Sequence, residues 1–213
     1  MRDKLVILAN SVRPGGRCVA GISVESGKWV RPVSRDVDRA VPNLRSVRQL
    51  SLLDIAEVPL AMDMPIPTDR YQIENRFVDS WDWKIVGSCS VNDILDYCGD
   101  TALILHSHDD LVDPKYFDSL PTSHWKSLQL VKTEVSFTRD QWDPSRWRAF
   151  FRDGSGHGLF LKVTDPCITL KLRRGDKVAE ECILTVSIAG PWQPPDGSKP
   201  ERCYKLVAGV IEL

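Results

Sequence analysis

Along the chain, short apolar runs are punctuated by Gly, Pro and Asp, and Leu128 to Phe137 alternates apolar and polar positions with a period of two, which predicts strands in preference to helices. A first strand is expected over Lys4 to Val12, closed by Arg13-Pro14-Gly15-Gly16, where proline and glycine set a turn. Cys18 to Val24 follows, and Glu25-Ser26-Gly27-Lys28 turns the chain into Trp29-Val30-Arg31-Pro32-Val33, a hairpin signal. In that third strand Trp29, Arg31 and Val33 share one face, and Val30 and Pro32 share the other. If Trp29 faces inward, Arg31 does too and needs a buried partner such as Glu74. Pro32 cannot donate to a ladder, so the strand is expected at an edge or to end there.

Residues 34–50 are polar and arginine-rich, and read as a long loop with a short helix. Leu53 to Leu60 resumes a strand pattern. Met62 to Asp69, with Pro65 and Pro67, reads as a connector, and Tyr71 to Val86 as extended chain around a turn. Ser90 can cap a helix carrying Asp93, Ile94, Leu95 and Tyr97 and ending at Gly99. Ala102 to Leu105 is expected as a short strand, and Asp109 to Leu120 as a loop with one helical turn. A second strand-rich block follows: Leu128 to Phe137, Trp147 to Arg152, His157 to Thr164, Ile168 to Leu172, Cys182 to Ile188 and Cys203 to Glu212. Short strands punctuated by Gly, Pro and Asp predict a mostly β fold of small barrels or a sandwich. A composition change near residues 121–127 divides the chain into units at 1–122 and 123–213.

The 213 residues are 42% hydrophobic and 27% charged, enough for a sizeable core and an ordinary wet surface. No window approaches the roughly 18 continuous apolar residues of a membrane helix. The run Leu5 to Ala9 is too short for a secretion signal, so a cytoplasmic setting without membrane contact is the expectation. The six cysteines are scattered with no pair at two-residue spacing, and read as reduced core thiols rather than zinc ligands. The net charge of −1 hides an asymmetry: residues 1–50 carry +6, residues 51–120 carry −10 and residues 121–213 carry +3. A polyanion would be drawn to the first and last thirds. Clusters of charge on solvated faces explain the same pattern.

Gly16-Arg17-Cys18-Val19-Ala20-Gly21 through Gly27-Lys28-Trp29-Val30-Arg31-Pro32-Val33-Ser34, together with Tyr71-Gln72-Ile73-Glu74-Asn75, forms one set of motifs. Ser127 to Lys132, Arg148-Ala149-Phe150-Phe151, Leu161 to Pro166 and Cys203 to Ala208 form another. Together they resemble the bacterial dual OB-containing domain, which carries two OB-type barrels in one chain. The resemblance implies two small OB-like β-barrels with one or two short helices. It also implies a binding role, in nucleic-acid handling or defence against phage, and brings no catalytic residue set.

Within that frame Arg13, Arg17, Lys28, Trp29, Arg31 and Arg35 are the first candidate nucleic-acid contacts. OB-type binders of single strands combine cations on phosphates with aromatic faces that stack bases. The competing explanation has Trp29 in the core and the arginines paired with the acidic middle third. Arg148, Lys162, Arg173 and Lys205 form a second candidate surface, beside Arg146, Trp147, Lys171 and Arg174. Gln72, Glu74, Asn75, Thr164 and Asp165 could line a ligand pocket, although the first three could equally link the two barrels and Asp165 could brace its turn.

His106 and His108, with Asp109 and Asp110, raise a metal reading, but no third ligand follows at a known spacing and none is expected. Neither a phosphate-binding glycine loop, nor a nucleophile elbow, nor a zinc-protease helix is present. The expectation is a non-catalytic protein without cofactor that binds nucleic acid, single-stranded or modified rather than plain duplex. A nucleotide or second-messenger sensor and a protein-interaction subunit of a defence complex are the alternatives.

Overall fold

The computed structural model describes residues 1–63 and 71–213, so most of the expected connector, including Pro65 and Pro67, lies outside the described residues. The chain is mostly β, as the short apolar runs between turn residues predict. Strands β1 (Arg2–Arg13), β2 (Gly16–Ser23), β3 (Trp29–Val33), β4 (Asp54–Pro59), β5 (Asn75–Phe77) and β6 (Lys84–Ser88) make one sheet in the order β5-β3-β2-β1-β4-β6. In the second sheet, β8 (Leu128–Glu134), β9 (Ser136–Arg139), β10 (Trp147–Arg152), β11 (Gly158–Val163), β12 (Glu181–Ile188) and β13 (Cys203–Glu212) are ordered β8-β12-β13-β11-β10-β9, and the short β7 (Leu111–Val112) pairs with β13.

The expected barrels are curled sheets without a closed ladder. In the first, one bridge from Leu60 to Val78 brings the chain after β4 to the chain after β5, while β6 remains an edge. In the second, the two ends of the sheet are joined by the chain itself. It bends at Val135, so that β8 pairs with β12 and β9 with β10. Pro32 is accommodated because the β2–β3 ladder covers only Trp29 and Val30, and β3 makes its further pairing with β5.

Two expected strands are absent. Ile168 to Leu172 lies inside helix α3 (Pro166–Arg174), although its alternation suits a strand. Asp165 caps this helix by accepting N–H bonds from Cys167 and Ile168, Pro166 fits its first turn, and Gly175 ends it at φ 78°. Capping chemistry overrode the alternation. Ala102 to Leu105 forms no strand because Leu105 and His106 adopt φ of 44° and 74°. The expected helix near 90–98 is a 3₁₀ segment over Asn92–Tyr97, with the Asp93 carboxylate accepting the Ser90 N–H and O–H. Helices α1 (Arg45–Arg48) and α2 (Pro114–Asp118) are single turns. Asn10 donates from Nδ2 to the carbonyls of Val47 and Leu50, tying the first of these to β1.

The first core gathers Leu5, Ile7, Val19, Val30, Val58 and Trp83. A second holds Val131, Phe151, Leu161, Leu184 and Val207, and also takes in Ile104, Val112, Phe117 and Trp125. The segment from 104 to 125 therefore packs with the second sheet. Between the sheets lies an apolar seam: Leu8 and Ile22 meet Leu130, Ile183 and Ile211, and Ala9 and Ala20 meet Leu128 and Ala208. This explains the unbroken run Leu5 to Ala9, since both faces of β1 are covered there.

Each partner in the seam carries a bulge. The β1–β2 register shifts at Leu8, and the β12–β13 register shifts between Thr185 and Val186. The freed Leu8 carbonyl accepts a bond from Thr185 Oγ1 at 2.5 Å, and Gly209 lies so close that a Cβ there would sit 2.3 Å from the same oxygen. Among the described residues no helix is long and apolar enough to cross a membrane.

Candidate binding groove

A groove of about 1040 Å³ opens where the two sheets meet. One wall is the turn into β3, with Gly27, Lys28 and Trp29, together with Ile73, Glu74 and Arg76. The other combines Tyr97 and Asp100, His106, Tyr116 from α2, and the stretch from Ser123 to Leu130 that leads into β8. Trp29 is half-buried, with one side packed on the small residues Ala9, Ala20 and Ala208 of the seam. Tyr97, Tyr116, Lys28 and Lys126 are exposed. Arg76 is anchored by bonds to the carbonyls of Ile73 and Asn75. The groove therefore offers aromatic surface beside three cations.

His106 belongs to the groove wall and not to a metal pair with His108. Its ring packs edge-on to Phe117, its Nε2 lies 2.9 Å from the Lys126 amide nitrogen, and burial holds the imidazole below its ordinary pKa. The same nitrogen lies 3.0 Å from the Lys126 carbonyl oxygen, so one tautomer accepts the amide N–H and the other donates to the carbonyl. His108 turns the opposite way, to Asp153.

Of the first candidate cluster, only Lys28 and Trp29 line the groove. Arg31 is buried and pairs with Glu74 at 2.8 Å, so it is not a surface contact for a ligand. Arg35 makes a bidentate pair with Asp63 and lies over Phe77. Arg17 bonds the Asn43 side chain and the Asn10 carbonyl, and Arg13 sits half-buried at the end of β1. Several basic groups of the first third are thus neutralised by the acidic middle third, Arg2 joining them through Glu57 and Asp82.

The second cluster is charge-balanced in part. Arg148 pairs with Asp140, Arg146 with Asp143 and Lys171 with Glu212. Burial, followed by the nearby Arg146, lowers the Lys162 pKa, and Arg173 is exposed at the end of α3. Lys205 is 2% exposed and donates to the Ser107 carbonyl, which removes it from any surface.

The expected pocket set divides in two. Gln72 donates to the Ile188 carbonyl, Asn75 donates to Gln72, and Glu74 holds Arg31, so these three link the sheets. Thr164 bonds Val207 and Asp165 caps α3, while the second Asp165 oxygen accepts the Val210 N–H. Neither lines the groove.

Tyr97, Tyr116, Arg76 and Lys126 were not among the expected contacts. Tyr116 and Lys126 flank the composition change near residues 121–127, and Tyr97 is legible only as an apolar residue of the expected helix near 90–98.

The family model described as a dual OB-containing domain matches residues 3–210. Comparison with curated proteins gives no match.

Proposed function

Because the chain belongs to the dual OB-containing domain family, we propose that the groove between its sheets binds a short stretch of single-stranded nucleic acid. The observation that carries this reading is the lining: Trp29, Tyr97 and Tyr116 beside Lys28, Arg76 and Lys126 in one open channel. Base stacking on aromatic side chains contributes about 1–3 kcal/mol per base and tolerates any sequence. The three cations take phosphates, and the acidic Asp100 keeps affinity for bulk polyanion low. Glu74 adds little repulsion because Arg31 neutralises it. With about three phosphates engaged, the dependence of log affinity on log salt has a slope of about −2. Binding, not chemistry, is the role assigned.

Photocrosslinking with a halogenated single-stranded oligonucleotide followed by peptide mapping tests the location. Adducts are expected on peptides holding Trp29, Tyr97 or Tyr116. Adducts confined to the face of Arg148 and Lys162 would overturn the assignment.

A further inference from the structure

Away from the groove, three residues converge that no binding role uses. Asp153 closes the hairpin between β10 and β11, and its side chain is fully buried. One oxygen, Oδ1, accepts the backbone N–H groups of Ser155 and His157 at 3.0 and 2.9 Å. The other, Oδ2, lies 2.6 Å from His108 Nδ1. His157 also turns its Nδ1 to the same carboxylate, 3.5 Å from Oδ1. The two imidazoles stack with centroids 4.0 Å apart and planes 29° from parallel.

We infer that His108, Asp153 and His157 bind one divalent transition-metal ion of the zinc class. Their three donor atoms lie within 4.8 Å of one another. A tetrahedral zinc with bonds of 2.0–2.2 Å holds its donors about 3.4 Å apart, so small rotations of the two rings complete the shell. The carboxylate is the fixed element. Its turn is pinned to residues 101–102 by Gly154 N–H donating to the Thr101 carbonyl at 2.7 Å and Ser155 Oγ donating to the Ala102 carbonyl at 2.9 Å. The rings are the movable elements, with 42% and 54% of their side-chain surface exposed, which leaves an entry path and room for water as a fourth ligand. Two imidazole nitrogens and one carboxylate select zinc, cobalt or nickel over magnesium and calcium, which take shells of oxygen.

The site shares no residue with the groove, so either assignment can fail without the other. The alternative is that His108 and His157 only brace the hairpin.

The test is calorimetric titration of the chelator-treated full chain with Zn²⁺, alongside visible absorption with Co²⁺ and a Mg²⁺ control. One saturable Zn²⁺ site, cobalt d–d bands and no response to Mg²⁺ are expected. Both His108→Ala and His157→Ala should weaken zinc binding by about tenfold or more. Because His157 is exposed, H157A should keep the fold, which its circular-dichroism melt verifies. Absence of saturable zinc binding to the wild type would overturn the site, as would binding that survives unchanged in both histidine variants.

Discussion

Arg31 and Glu74 form an ion pair at 2.8 Å with side chains only 4% and 6% exposed, at the junction of the two sheets. Arg31 also donates to the hydroxyls of Ser127 and Ser187 at 2.9 and 3.3 Å, and the Ser127 hydroxyl donates to Glu74. One charged cluster thus joins β3 and the segment before β5 to the start of β8 and the end of β12. Strand parity required this partner: Trp29 packs on the seam, so the residue two positions on is turned inward too.

Removing one partner leaves the other charge buried alone. R31M or E74M should each lower unfolding free energy by about 3–5 kcal/mol. The double variant R31M/E74M should lose clearly less than the sum of the two single losses. Urea titrations of the four proteins measure this, and simple additivity would show that the pair is not coupled.

Where the bulges meet, the backbones leave no room for a side chain. G209A would place a methyl 2.3 Å from the Leu8 carbonyl oxygen, against backbone that cannot step aside without parting the sheets. A loss of about 3 kcal/mol or more is expected, in the range of overpacked cores. G99A, with nothing within 4 Å, is the control and should melt within a few degrees of the wild type. Equal melting temperatures for the two variants would refute the close approach.

Lys205 makes stability depend on pH. Burial lowers its pKa to about 8, although Asp110, Asp109 and Asp153 pull the other way. The unfolded chain, with a lysine near 10.4, then binds more protons than the folded one between about pH 8 and 10. Stability from this group therefore rises with pH across that window. Relative to K205M, the wild type should gain about 1–3 kcal/mol from pH 7 to pH 10. The comparison cancels the opposite trend from Cys182 and Cys203, whose thiols burial pushes up to about 11 and about 12. A constant difference between the two proteins would remove the assignment.

Short apolar runs bounded by Gly, Pro and Asp located most strands, and Leu128 to Phe137 added period-two alternation. It misled at Ile168 to Leu172, where Asp165, Pro166 and Gly175 were the decisive signals and all three were visible. The basic clusters were legible as composition but not as surface. Which arginines stay open depends on partners such as Asp63 for Arg35 and Asp140 for Arg148, set by folding, whereas strand parity pointed to Glu74 as the partner of Arg31. The groove was not legible, since Trp29, Arg76, Tyr97 and Lys126 come from separate segments that no local pattern connects. The same holds for His108 and His157. Adjacent in space, they are distant in sequence, and the nearer His106 was the misleading partner.

Fluorescence anisotropy with a labelled single-stranded oligonucleotide, as DNA and as RNA, tests the groove most directly, with duplex DNA as the comparison and salt as the variable. The wild type should bind single strands saturably at low salt, and more tightly than duplex. Binding should weaken with a log–log salt slope of about −2. Y97A and the double variant K28E/K126E alter exposed side chains and so spare the fold, and each should weaken binding by about tenfold, the equivalent of 1.4 kcal/mol and within the value of one stacked base. No single-strand binding at low salt, or binding that both variants leave unchanged, would contradict the groove as a nucleic-acid site.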